Sequence, residues 1–122
     1  MRHQDDLSTA MHSVEQALGA PRRSTLWRWV VKKRVVDLRK ALDSYEDGPS
    51  APWLAPRRES LLRERRRISA NLGDVESTLS ADFDPHFIRT RLSRLLHDID
   101  RHRQRAADLV YDTLALDLGG VD

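Results

Sequence analysis

Residues 88–116 read IRTRLSRLLHDIDRHRQRAADLVYDTLAL, and this stretch decides the fold. Its apolar residues recur at alternating steps of four and three, the spacing that keeps side chains on one face of an α-helix. We call that line the inner seam; it comprises Ile88, Leu92, Leu95, Ile99, His102, Ala106, Leu109, Thr113 and Leu116. Charged and polar residues fill most positions between. The stretch therefore predicts one long amphipathic helix whose inner seam packs on other helices, with polar interruptions at His102 and Thr113.

Three earlier segments show the same periodicity. The first runs from Asp5 to Leu18, the second from about residue 25 to Tyr45, and the third follows Pro56, a residue well suited to the first turn of a helix. Pro85 begins the fourth, and Gly119-Gly120 ends it. Their apolar positions are Leu7, Met11, Val14 and Leu18; Trp27, Val31, Val35, Leu38, Leu42 and Tyr45; and Leu61, Ile68, Leu72, Val75 and Leu79.

The connections between these segments are short, which favours neighbours that run back along each other. We therefore expect an all-α fold, an antiparallel up-down-up-down four-helix bundle with a short first helix and a long fourth helix. The first helix should be about half as long as the fourth, so part of the inner seam of the fourth helix stays uncovered unless the Pro-rich loop or a second chain covers it. Four side chains are expected to plug one end of the bundle: Tyr45, Trp53, Tyr111 and Leu114.

Length and composition narrow the class of protein. The 122 residues suffice for one domain, 1–122, and the chain is 39% hydrophobic and 33% charged, a balance that suits helices with wide solvated faces. The absence of Cys excludes disulfides, thiolate metal sites and a Cys nucleophile. No apolar run approaches the roughly 20 residues that span a bilayer, and residues 1–8 are polar. We therefore expect no membrane association, no signal peptide and a cytoplasmic location.

Glu64 and His102 interrupt the seams of the third and fourth helices at matching positions. Each lies 19 residues from Phe83, at the centre of the connecting loop, so an antiparallel pair brings them face to face. A carboxylate beside a buried imidazole fixes the ring tautomer and is the minimal unit of a metal or proton-transfer site. However, stable zinc or iron sites need three or four ligands, and no Glu-x-x-His pair occurs. The expected role is a polar layer that fixes helix register, with no cofactor; a metal site is the alternative.

The densest basic run comprises Arg57, Arg58, Arg63, Arg65, Arg66 and Arg67. A face of this kind can neutralise phosphates and bind nucleic acid in a salt-dependent way. Acidic residues such as Glu59 and Glu64 lie close by, and no helix-turn-helix or zinc-knuckle spacing accompanies the arginines. A solvated face with weak ion pairs is the structural alternative.

The sequence also lacks a Gly-rich phosphate loop, a Gly-x-Ser-x-Gly elbow and a paired-carboxylate constellation. We therefore expect a protein that is not an enzyme and acts as an interaction or regulatory module, with a protein partner or a second copy of itself as a homodimer. Two alternatives remain open: a basic nucleic-acid-binding module and a degenerate metal-binding bundle.

The tail HRQRAADLVYD of residues 102–112, followed by DLGG at 117–120, resembles small uncharacterised helical proteins of actinobacteria. Their pattern also has a Trp-Leu-Ala segment ahead of an Arg-rich third helix, as at Trp53-Leu54-Ala55. The resemblance covers about the last two thirds of the chain and implies no particular activity.

The chain is also similar, more faintly, to the hemerythrin-like bundle, whose helices supply histidines and carboxylates to a di-iron centre. His102 looks like the fourth-helix ligand, and His12 sits where a first-helix ligand would be. The pattern departs elsewhere: the second helix has no His, Glu64-Arg65 replaces Glu-His, and Ala107 stands where a carboxylate is expected. The resemblance therefore implies the outline of the bundle.

Overall fold

A computed structural model describes residues 2–20, 25–45, 52–81 and 84–119, and within these ranges every regular element is helical. The helices are α1 (Arg2–Gly19), α2 (Thr25–Asp43), α3 (Ala55–Leu79) and α4 (Pro85–Gly119), and a 3-10 turn, Pro52–Leu54, precedes α3. The predicted all-α four-helix fold is confirmed. The boundaries differ slightly from expectation, because α1 begins three residues earlier and α2 ends two residues before Tyr45.

Contacts between α1 and α2 show that these helices run in opposite directions. The indole Nε1 of Trp27 donates a hydrogen bond to the carbonyl of Ala17 over 2.9 Å, and Nη1 of Arg34 donates to the carbonyl of Ser13 over 2.8 Å. As the residue number rises on α2, the partner number falls on α1. Both carbonyls lie in the last two turns of α1, so these two side chains tie the end of α1 to α2.

The same reversal holds along the rest of the bundle. Between α2 and α3, Arg39 pairs with Glu76 at 2.8 Å, and the ammonium of Lys32 lies 2.6 Å from the hydroxyl of Ser80. Between α3 and α4, three contacts fix the register: Arg91–Asp74 at 3.7 Å, His102–Glu64 at 2.9 Å and Arg57–Asp112 at 2.9 Å. Adjacent helices in the chain are thus antiparallel neighbours in space, as the short connections predict.

One continuous core fills the space between the helices. The inner seam is buried from Ile88 to Leu109, with the remaining exposure at most 4% for any of its residues. Thr113 is half-buried, and its hydroxyl donates to the carbonyl of Leu109 over 2.8 Å, which satisfies it within the helix. Leu116 lies outside the described side chains. The periodicity of residues 88–116 therefore identified the buried face of α4 correctly over its described length.

The predicted aromatic plug is wrong for three of its four members. Tyr45 is buried, but Trp53, Tyr111 and Leu114 are exposed by 54%, 77% and 55%. Because successive residues of a 3-10 turn lie about 120° apart, Leu54 enters the core while Trp53 faces solvent. Tyr111 lies about 200° around α4 from the buried Leu109, so it faces solvent too.

The lengths of the outer helices differ as predicted. Helix α1 has 18 residues and α4 has 35, so α1 is about half as long as α4. Nη1 of Arg103 on α4 lies 3.6 Å from the sulfur of Met11 on α1, which is a long polar contact. The α1–α4 edge is therefore the open side of the bundle.

Asp84 caps the N-terminus of α4. Its Oδ1 accepts a hydrogen bond from the backbone N–H of His86 over 3.0 Å, while its carbonyl accepts from the N–H of Ile88. A helix begins with unpaired N–H groups, and a side-chain acceptor at this position satisfies one of them. Pro85 follows at the first helical position, where its missing N–H costs nothing.

Asp84→Ala should lower the free energy of unfolding by about 1 kcal/mol, because the cap is lost. Asp84→Asn keeps an acceptor at the same place and should stay within a few tenths of a kcal/mol of the parent protein. Urea unfolding followed by circular dichroism measures both variants. Equal losses in the two variants would show that the side-chain cap does not stabilise α4.

Candidate functional site

His102 is the one buried polar residue among the described side chains, with none of its surface exposed. It occupies the middle of the inner seam, between Ile99 and Ala106, which are also buried. A polar group in such a place costs several kcal/mol of folding free energy unless a hydrogen bond compensates for its lost water. The hydrogen bonding of this imidazole therefore affects the folding free energy of the bundle.

Glu64 supplies that compensation from α3. Its Oε1 lies 2.9 Å from Nδ1 of His102, and because an ionised carboxylate only accepts, the imidazole N–H donates. The other oxygen, Oε2, accepts from the guanidinium of Arg105 at the protein surface. The Glu64 side chain is 17% exposed, so it spans from the core to the edge of the bundle. The carboxylate thus joins a buried imidazole to an exposed cation.

Tyr45, just after the end of α2, and Arg65 on α3 complete the surroundings. The ring of Tyr45 meets the imidazole of His102 edge to face, with centroids 6.1 Å apart and planes at 61°. The backbone carbonyl of Tyr45 accepts from the guanidinium of Arg65, the neighbour of Glu64 on α3. His102, Glu64, Arg105, Tyr45 and Arg65 form the polar layer, which connects the end of α2 with α3 and α4.

The helical spacing explains why these groups meet. Glu64 lies three residues after Leu61 and four before Ile68, so its side chain starts from the buried face of α3. Arg105 follows His102 by three residues and stands beside it on α4. The equal separation of Glu64 and His102 from Phe83 places them opposite each other, although Phe83 itself lies outside the described residues. The predicted pair is thus brought together at hydrogen-bond distance.

This arrangement does not fit a metal. No group of three or more His, Asp or Glu side chains within the described ranges is placed to hold an ion. His12, the counterpart of a first-helix ligand in the hemerythrin-like pattern, is exposed and lies 3.4 Å from Glu15 on its own helix. His102 is buried, so the two imidazoles do not share a site. The carboxylate of Glu64 already has both oxygens engaged.

The six arginines of the predicted basic run have different roles. Two lie against the fold: Arg65 bonds the Tyr45 carbonyl, and Arg58 is half-buried with its Nε shielded from solvent. Arg57 is exposed and pairs with Asp112 at the surface. Arg63, Arg66 and Arg67 are also exposed. Most arginines of the basic run therefore lie at the surface.

Arg67 faces a cleft of about 210 Å³ between α3 and α4. Arg101 and Arg105 line the other wall, and Glu64, Ile68, Asn71 and Asp98 complete the lining. Arg67 and Arg101 lie 16 and 18 residues from Phe83, so counting outward from the loop places them within two residues of facing each other.

Two features of the α4 surface were not expected. Val110, Tyr111 and Leu114 form an exposed stripe near the end of α4, with 39%, 77% and 55% of their surfaces accessible. A groove of about 580 Å³ runs between α1 and α4, with Met11, Leu18 and Leu96 among its apolar lining residues. Periodicity alone does not reveal either feature, because it does not say where α1 stops covering α4.

Comparison with protein-family models, with curated proteins and with solved structures finds no match to this chain. Within the described residues, no helix combines the length and apolar character that crossing a membrane requires. The geometry of the site is therefore the basis for assigning it a function.

Removing Glu64 should cost more stability than removing His102. Glu64→Ala takes the carboxylate away from a buried imidazole and should lower the free energy of unfolding by about 1–3 kcal/mol. His102→Leu replaces the imidazole with an apolar side chain of similar size, and Glu64 keeps Arg105 and partial contact with water. Urea denaturation compares the two. A larger loss for His102→Leu would contradict the role of Glu64 as the compensating partner.

Proposed function

We propose that this protein is a non-enzymatic interaction module that self-associates through the exposed stripe of Val110, Tyr111 and Leu114 on α4. The exposure of these three side chains carries the proposal. They fall within five residues of each other and share one side of the helix. Contiguous apolar surface rimmed by polar residues marks interaction sites, and tyrosine is enriched at the centres of interfaces.

The position of the stripe supports the same function. It lies on α4 beyond the groove between α1 and α4, whose α4 lining ends at Arg103. Exposed apolar residues also occur at the start of α2, where Leu26 and Trp29 are 66% and 58% exposed. The ammonium of Lys32 lies 5.5 Å from the Trp29 ring centroid, so a cation–π contact within α2 already covers part of this ring. The α4 stripe is the better candidate.

The state of the polar layer supports a role without catalysis. A general acid or base must reach a substrate atom, directly or through one water. Glu64 directs one oxygen to His102 and the other to Arg105, and the imidazole has no exposed surface. The layer is therefore arranged to hold helices together.

Leu114→Lys should shift the protein from dimer towards monomer, because the charge must lose water when the apolar surfaces meet. Static light scattering over a range of protein concentrations measures the molar mass. Phe87→Lys is the matched control, since Phe87 is 53% exposed on the same helix at the opposite end. The control should self-associate like the parent protein. A parent protein that stays monomeric at the highest concentration would contradict the proposal.

A second function, nucleic-acid binding, is favoured by the convergence of Arg67, Arg101 and Arg105 on one cleft. Arginines on two adjacent helices give a wider basic surface than the α3 run alone provides. Such a surface binds phosphates by releasing counterions, and the affinity then falls as salt rises. Two acidic residues, Glu64 and Asp98, line the same cleft and oppose this role.

Reversing the charge at Arg67 and Arg101 tests that second function. If the cleft binds nucleic acid, Arg67→Glu with Arg101→Glu should abolish binding of a fluorescent oligonucleotide that the parent protein binds at low salt. Fluorescence anisotropy across a salt series measures the affinity. Absence of binding by the parent protein even at low salt would rule this function out.

A further inference from the structure

Helix α4 carries a second line of residues spaced by alternating fours and threes, each member one position after a member of the inner seam. We call it the outer seam; it comprises Arg89, Ser93, Leu96, Asp100, Arg103, Ala107, Val110 and Leu114. One residue is about 100° of helix rotation, so the outer seam lies beside the buried face. A repeat of this spacing is what two helices need to pack along their length.

The outer seam divides into two halves with different surroundings. Arg89, Ser93, Leu96, Asp100 and Arg103 line the groove between α1 and α4. Leu96 is 6% exposed there and, with Met11 and Leu18 from α1, supplies the apolar part of the groove. The second half, Ala107, Val110 and Leu114, is exposed. One half is therefore a concave surface, and the other half is an apolar ridge.

These halves complement each other when a second α4 is laid antiparallel on the first. We propose that the partner of this surface is a second copy of the chain, paired through α4 about a two-fold axis that passes between Arg101 and His102. Leu114 of each copy then faces Arg89 of the other, Val110 faces Ser93, and Ala107 faces Leu96. The ridge of each copy enters the groove of the other. This inference rests on the proposed function and specifies its geometry.

The charges of the outer seam select the antiparallel orientation. At the centre of the arrangement, Asp100 of each copy faces Arg103 of the other, so two ion pairs form around the axis. A parallel pair would place Asp100 against Asp100 and Arg103 against Arg103. Within one chain these residues lie 3.9 Å apart, already side by side on the helix. Complementary charges of this kind fix register and exclude the wrong orientation.

Among the described side chains, the titratable groups of α1 that line the groove are His12 and Glu15, which lie 3.4 Å from each other. His97 comes from α4 itself.

The outer seam from Arg89 to Leu114 is about 38 Å long at 1.5 Å per residue, long enough for an extended helix pair. Isologous pairing of this kind closes as a dimer and leaves no open end for further growth.

Exchanging the central charges tests the register. Asp100→Arg alone and Arg103→Asp alone each place like charges across the axis, and each should raise the dimer dissociation constant at least about tenfold. The double variant carrying both changes restores opposite charges and should recover most of the parent affinity. Asp108→Arg is the control, because it makes the same charge change on the side of α4 that faces α3. Analytical ultracentrifugation measures the dissociation constants. Failure of the double variant to recover would overturn the proposed register.

Disulfide trapping provides an independent test, since the chain has no cysteine of its own. Ser93→Cys protein mixed with Val110→Cys protein should give a cross-linked dimer under mild oxidation, while each variant alone should give little. A dimer that cross-links Ser93→Cys to itself would show parallel pairing and overturn the antiparallel geometry while leaving self-association intact. A parent protein without any dimer in the ultracentrifuge would overturn both the geometry and the proposed function.

Discussion

The bundle depends on the hydrogen bond that joins a fully buried imidazole on α4 to a carboxylate on α3. His102 has no exposed surface, and Nδ1 lies 2.9 Å from Oε1 of Glu64. Sliding α4 past α3 by one turn would move the imidazole about 5.4 Å away from that oxygen, and the desolvation cost would no longer be offset. An apolar seam alone tolerates such slippage better than a polar one. We therefore expect the pair to fix the register more strictly than the leucines around it.

That register determines what the surface of the protein presents. At this alignment of α3 and α4, Arg57 reaches Asp112, and Arg67 lies across a cleft from Arg101. Beyond Leu109, Tyr111 lies on the other side of α4 from the inner seam and stands in solvent. The buried polar layer and the exposed apolar stripe thus lie on different sides of one helix.

Most of the fold could be predicted from the sequence because it follows from local spacing. The four helices, the Pro starts of α3 and α4 and the meeting of Glu64 with His102 all depend on periodicity, helix-start residues and equal distance from a loop. The aromatic plug could not be predicted in this way. Whether Trp53 or Leu54 enters the core depends on a 3-10 turn, and whether Tyr111 meets another helix depends on which elements pack near the end of α4. These are properties of three-dimensional packing.

The basic run illustrates the same difference. Six arginines within Arg57–Arg67 look alike in the sequence, but Arg65 bonds a backbone carbonyl on α2 while Arg67 faces an open cleft. Composition gives their charge, and only the partners decide their role. The outer seam of α4 is a pattern that the sequence does contain. It lies beside the inner seam, which faces the core.

Helix α4 packs its inner seam within the chain, and we propose that it packs its outer seam on a second copy. Pulsed electron–electron double resonance tests this directly, on protein that carries one spin label per chain at Ala115→Cys. Ala115 is exposed, so the label leaves the core undisturbed. Antiparallel pairing about the axis between Arg101 and His102 predicts a distance of about 40 Å between the two labels, from 27 residues at 1.5 Å each. A much shorter distance, or no dipolar coupling at all, would contradict the account.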